Sequence, residues 1–145
     1  MTDKYEFTGE TKVVLGITLR QIRALIAIPL FGVSVGDVGG WIEKEENLSQ
    51  ASDSAWISGD AWIYGDARIY KVNVESTRTD GYTFTVAPTP NGPRVIAGCR
   101  YLTFKEAKAH WKASRGGTKL GDETMSILKH LETMAKINGF MEPVA

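Results

Sequence analysis

A single cysteine, Cys99, stands among 145 residues, so no disulfide can form within the chain. Histidine is almost as sparse, with His110 and His130 the only two. Neither sign of charge is in excess, because 17 Lys and Arg balance 17 Asp and Glu. That balance argues against a dedicated nucleic-acid binder, which clusters basic residues, and equally against an acidic nucleic-acid mimic. Long hydrophobic runs are missing too. The longest, "ALIAIPLFGVSV" at 24–35, is broken by Pro29 and Gly32 and falls short of the roughly 20 apolar residues a spanning helix requires. It is expected to form core. No basic start is followed by an apolar signal core, so the expected location is cytoplasmic.

Against these absences stands a repetition, "SAWISGDAWIYGDARIY" at 54–70. Ala55, Ala61 and Ala67 fall six apart, as do Ile57, Ile63 and Ile69, and Gly59-Asp60 and Gly65-Asp66 mark the same point in successive copies. Hexapeptide units of this kind are the signature of a parallel β-helix, three units to a coil of about 18 residues. In that geometry the isoleucines point inward from flat faces and the alanines point inward near corners, while Gly59 and Gly65 permit corner conformations that a β-carbon resists. Ser49 and Ala51 keep the same slots, so the repeat runs from about 45 to 70. Such a short coil cannot bury its own ends and must be capped.

The flanks supply the caps. Tyr5 and Phe7 alternate with polar neighbours, and Gly9-Glu10 punctuates, which predicts a strand at 4–8, a turn, and a second strand from about 12. "TLRQIRALIAI" fits a helix through Leu19, Ile22 and Ile26, or a strand through Ile22, Ala24 and Ile26; the strand is favoured. After Tyr70 the repeat stops. Tyr82, Phe84 and Val86, the turn residues Pro88 to Pro93, then Val95 and Ala97 read as a hairpin. "TFKE" at 103–106 is a capping box opening a helix with Phe104, Ala107 and Trp111 on one face, ended by "RGG". Asp122 is expected to cap a second helix whose buried stripe is Met125, Leu128, Leu131, Met134, Ala135 and Ile137, with Gly139 the stop. The expected fold class is therefore mainly β with α: a short parallel β-helix, left-handed as hexapeptide spacing favours, capped by N-terminal strands and a C-terminal ββαα unit. The division runs 1–70 for the strands and coil, 71–80 for a linker, and 81–145 for the ββαα unit.

"KYEFTGETK", "RQIRAL", "GDVGGWIEKEENLSQ" and "GDAWIYGDARIY" together resemble the uncharacterised hexapeptide-repeat proteins of phages and prophages, over roughly residues 4–70. "RVIAGCRYLTFKEAKAHW" is similar to a C-terminal module that follows such repeats in some members. Members usually carry more copies of the repeat, and this chain departs from them by its brevity, which leaves a compact, capped version. It also implies a phage context, hence the host cytosol, and it brings no active site with it.

Hexapeptide acyltransferases place a catalytic histidine at a subunit boundary beside the coil, but both histidines here lie beyond it. Asp60 and Asp66 occupy different corners of one coil, whereas neighbours in a sheet stand about 4.8 Å apart, so the two carboxylates serve local backbone N–H groups and no metal site is expected. Cys99, His110 and Glu106 could be set out as nucleophile, base and orienter, yet Cys99 lies in an apolar strand and is expected to be a buried structural cysteine. Trp56, Trp62, Tyr64 and Tyr70 occupy the outward positions that flank the inward isoleucines, Trp41 joins them, and Arg68 takes the slot that Trp56 and Trp62 fill earlier. Either the C-terminal unit folds over these rings or they face a partner. The expected function is thus a phage-type binding protein with no catalysis and no cofactor. It would act by protein–protein interaction through Trp56, Trp62, Tyr64, Arg68 and Tyr70, for example as an inhibitor of a host defence complex. Expected partners are a host protein or protein complex and, in a homo-oligomer, further copies of the chain; no membrane or nucleic acid is expected. The alternative is an acyltransferase-like or small-ligand-binding oligomer.

Overall fold

The computed structural model describes residues 3–51, 55–57, 61–70 and 74–143. The chain divides into two compact units, Met1–Asn73 and Val74–Ala145.

The first unit opens with β1 (Tyr5–Val14) and β2 (Ile17–Ala24), an antiparallel hairpin closed by the Val14–Ile17 pair. Its two-residue turn places both Leu15 (φ 50°) and Gly16 (φ 79°) in left-handed backbone, the pattern of a type I′ turn. A leucine is strained there. The turn expected at Gly9-Glu10 is instead a bulge within one long strand: residues 5–7 and 11–14 both pair with β2, and the register shifts between Phe7 and Thr11. The segment with two possible periods is a strand, β2. It pairs antiparallel with β3 (Val38–Ile42), and β3 in turn pairs parallel with β4 (Trp62–Ile63) through Trp41–Trp62 and Ile42–Ile63, giving the order β1-β2-β3-β4.

This architecture corrects the expected parallel β-helix. Two four-stranded, mainly antiparallel sheets and two helices make a mixed α/β protein, and among the described residues no sheet closes or winds as a solenoid. Among the described residues, parallel pairing is confined to β3–β4 and one bridge, Leu48 with Ile69. The reason lies in the brevity of the repeat, which offers no second full coil to stack on. Residues 62–63 find their partner in 41–42, on the edge of an antiparallel hairpin.

The inward slots are nevertheless buried: Ile57 and Ile63 are fully covered, as are Ala55 and Ala67, with Ile69 and Ala61 nearly so. Gly59 and Asp60 lie outside the described residues, while Gly65 does adopt left-handed backbone, φ 63°. With so little regular pairing, side chains take over the tying of backbone. The fully buried Asn47 accepts with Oδ1 from the Glu43 and Lys44 N–H groups at 3.2 and 3.0 Å, and donates from Nδ2 to the Gly65 and Ala67 carbonyls at 3.1 and 3.0 Å. Gln50 does the same for the start of β1. Its Oε1 accepts from the Lys4 and Tyr5 N–H groups, its Nε2 donates to the Tyr5 carbonyl, and the Tyr5 hydroxyl donates to the Leu48 carbonyl at 2.9 Å.

The second unit is an antiparallel meander, β5 (Val74–Thr77), β6 (Thr83–Ala87), β7 (Arg94–Ala97) and β8 (Arg100–Leu102), followed by α1 (Phe104–Arg115) and α2 (Lys119–Ile137). It holds two strands more than the sequence pattern indicated. β5 lies inside the stretch read as a linker, and β8 is too short to show a period. Thr103 and Glu106 form the expected capping box. The second helix begins earlier than expected, with Thr118 as N-cap accepting from the Gly121 N–H, so Asp122 sits in its first turn. Phe84, Val86, Val95, Phe104, Trp111, Leu128, Leu131 and Ala135 form the core. Ile137, expected in the buried stripe, is 73% exposed. Phe140 takes its place: Gly139 turns left-handed, the Phe140 N–H reaches the Ala135 carbonyl, and the ring folds back under the helix end. No helix among the described residues is long and apolar enough to cross a membrane.

Replacing Asn47 by alanine removes four hydrogen bonds and strands the Lys44 N–H and the Gly65 carbonyl, while the Glu43 N–H keeps the Ile63 carbonyl and the Ala67 carbonyl keeps Arg68; it is expected to cost about 2–4 kcal/mol of stability. Asn47→Asp keeps the acceptor but faces two carbonyls with a carboxylate, so it should not restore the loss. Denaturant unfolding followed by tryptophan fluorescence checks both variants; an Asn47→Ala midpoint equal to the parent's would show that the amide carries no weight.

Candidate functional site

The expected partner-binding residues do not form one exposed surface. Trp56 and Tyr64 are 3% and 7% exposed, Trp62 and Arg68 are half-buried, and of the five only Tyr70 is open, at 38%. Strict alternation failed because, among the described residues of this segment, only Trp62 and Ile63 are in a strand; residues 55–57 are not. Gly39 explains where the Trp56 ring goes, since a β-carbon at that glycine would lie 2.6 Å from Trp56 Cζ2. Trp62 lies beside Trp41 on the neighbouring strand, and Lys12 Nζ sits 4.0 Å from the Trp41 ring centroid and 5.2 Å from that of Trp62. Arg68 Nη1 donates to the Ala67 carbonyl.

The apolar surface lies elsewhere, in the run expected to be core. Of residues 24–35 only Ala24 and Ile28 are buried. Leu30 and Val35 are 64% and 67% exposed, and Val38, just beyond the run, is 52% exposed. The loop is built to hold this display. Ile28 and Val33 exchange backbone hydrogen bonds around a 3-10 turn at Pro29–Phe31, Gly32 closes that turn in left-handed backbone, and the Gly36 N–H and Asp37 carbonyl bond Ala24. The Asp37 carboxylate accepts from the Ser34 N–H at 2.8 Å. The backbone is satisfied while its side chains are not covered, and clustered exposed apolar residues mark interaction sites more often than scattered ones do. Pro29 and Gly32 break both the helical and the strand period, so hydrophobicity alone could not tell display from burial.

In the second unit the structure brings Cys99 and His110 to the lining of one cleft of about 600 Å³, and leaves Glu106 out of it. Glu106 is spent on the helix cap, where hydrogen bonds from Thr103 hold its carboxyl below the usual range. The triad, already disfavoured on sequence, is therefore not assembled, but Cys99 is not the buried cysteine expected either. Cys99 is exposed, in the turn between β7 and β8, because Gly98 at φ 55° turns the chain before the strand can carry the thiol inward. At the cleft's other wall the almost fully buried Arg78 donates to both Asp80 carboxylate oxygens at 2.8 Å and to Thr124 Oγ1 at 3.0 Å, with its guanidinium 5.0 Å from the Tyr82 ring centroid. Hydrogen bonding from Arg78 lowers the Asp80 carboxyl to about 2. Burial raises the Tyr82 hydroxyl, which donates to the Ala97 carbonyl at 2.7 Å.

No family model matches the chain, and no curated protein or solved structure does so either.

Two outcomes follow from this geometry. Trp56→Ala and Tyr64→Ala should each lower stability by about 3–5 kcal/mol, the cost of emptying a buried aromatic site; thermal midpoints within a degree of the parent's would place these rings outside the core. For Asp80, a folded value below the ordinary 3.8 means that its pairing stabilises the protein above that pH and is lost as the pH falls from about 4 to about 2. Asp80→Asn should thus start less stable at neutral pH and lose less on acidification than the parent, in melts recorded from pH 6 to about pH 2.

Proposed function

We propose that this chain is a non-catalytic binding protein that acts by protein–protein contact through the apolar loop of its first unit, residues 25–38. One observation carries the reading: the longest apolar run in the sequence is held on a hydrogen-bonded frame with Leu30 and Val35 turned to solvent, and Val38 just beyond it is exposed as well. Covering each such side chain is worth about 1.5–3 kcal/mol, so three of them supply a substantial share of a specific contact. The near-neutral charge suits an apolar interface better than a polyanionic ligand. The phage resemblance of residues 4–70 makes a host protein or complex, such as a defence assembly, the favoured partner, with a second copy of the chain as the other occupant.

The test is the double variant Leu30→Asp with Val35→Asp. Both residues are exposed, so the melting temperature should stay within about 3 °C of the parent's, while stoichiometric capture of a host protein, or self-association seen by light scattering, is lost. Undiminished capture by the variant would remove the loop from the interface.

A further inference from the structure

The cleft of the second unit is independent of that loop, and its lining has a chemistry that protein–protein contact does not use. Its volume, about 600 Å³, lies within the range of small-molecule sites. Three arginines, Arg78, Arg100 and Arg115, line it against one carboxylate, Asp80. Arg78 and Asp80 cancel one another through their two-pronged pairing. Arg100 and Arg115 have no carboxylate partner among the described residues. The lining therefore keeps two uncompensated guanidinium groups in a chain whose total charge is zero.

The neutral hydroxyls on the lining are already occupied as donors. Tyr82 donates to the Ala97 carbonyl, and Ser114 donates to the His110 carbonyl at 2.9 Å. The two guanidinium groups bring charged hydrogen-bond donors to the cleft, with planar forks that match oxyanions, and the His110 imidazole shares the lining. Both stand on regular elements, Arg100 at the start of β8 and Arg115 at the end of α1. On the same lining, Arg78 is held in place by its bond to Thr124 Oγ1.

We propose that this cleft is a binding site for a small organic oxyanion, a phosphoryl- or carboxylate-bearing metabolite, held by Arg100 and Arg115. Its size excludes a nucleic-acid duplex, and its charge excludes a cation.

Cys99 provides the readout, being exposed on the cleft lining and the sole thiol of the chain. The full chain is alkylated with uncharged N-ethylmaleimide at constant ionic strength, in the presence of rising pyrophosphate or citrate, and the modification rate is followed by mass spectrometry. Saturable slowing by either anion is the expected result; slowing by pyrophosphate alone assigns a phosphoryl ligand, and slowing by citrate alone a polycarboxylate. Isothermal titration of the same anions should show Arg100→Gln and Arg115→Gln each weakening binding about tenfold, the loss of one charge-assisted contact. Arg23→Gln, in the other unit, should leave binding unchanged. Both cleft arginines are exposed, so their variants should fold, and thermal melts check that they do. Unchanged alkylation with both anions overturns the proposal, as does protection that persists in the Arg100→Gln, Arg115→Gln double variant.

Discussion

A buried amide holds the first unit together. In a regular sheet each backbone group finds its partner by register, but after β3 the described residues of the first unit make only two residue pairs, in β3–β4, and the Leu48–Ile69 bridge. The buried carbonyls and N–H groups of 43–48 and 65–69 still need partners, because leaving one unpaired costs as much as a hydrogen bond gives. Asn47 is shaped for the task, with two acceptor sites and two donors on one short side chain, and it spends all four across the two segments. Glu43 adds a fifth tie by accepting from the Gly65 N–H at 2.9 Å.

From that frame the rest of the unit follows. With 43–48 fixed against 65–69, the adjoining β3 and β4 can pair, and Ile42 and Ile63 then enter the same interior. Gly39 leaves the space that Trp56 fills. Gln50 and the Tyr5 hydroxyl fasten β1 to the same layer. Once this interior is full, Leu30 and Val35 of the apolar run are left outside, and the hydrogen bonds of the segment hold it as a loop.

The second unit solves the same accounting differently, by regular means. Its meander pairs every strand with a sequence neighbour, and its helices carry caps at both ends, with the Thr103–Glu106 box and the Gly139–Phe140 turn at the outer limits. Because the core is covered by α1 and α2, charged residues at the strand ends and on the exposed side of α1 are free to gather around a cleft. Arg78 is the exception, drawn inside and kept charged by Asp80, a pairing that fixes one wall while Arg100 and Arg115 have no carboxylate partner among the described residues.

What residue order dictated was whatever depends on near neighbours. The capping box at 103–106, the helix stop at 116, the hairpin around 88–93 and the burial of Ile57, Ile63 and Ile69 all rest on spacings of a few residues, and such spacings act before any long-range contact forms. The expected β-helix failed on a long-range matter, namely which segment would lie against 62–63. That is settled by competition between distant strands. The same holds for Trp56 and Tyr64, whose side could not be read from alternation once a gap at Gly39 existed to receive a ring. Display of Leu30 and Val35, and the meeting of Arg78, Cys99 and Arg115 at one cleft, likewise belong to the tertiary structure alone. Hydrophobicity says that a side chain gains by leaving water, but the room available inside is set by every other residue that has already gone in.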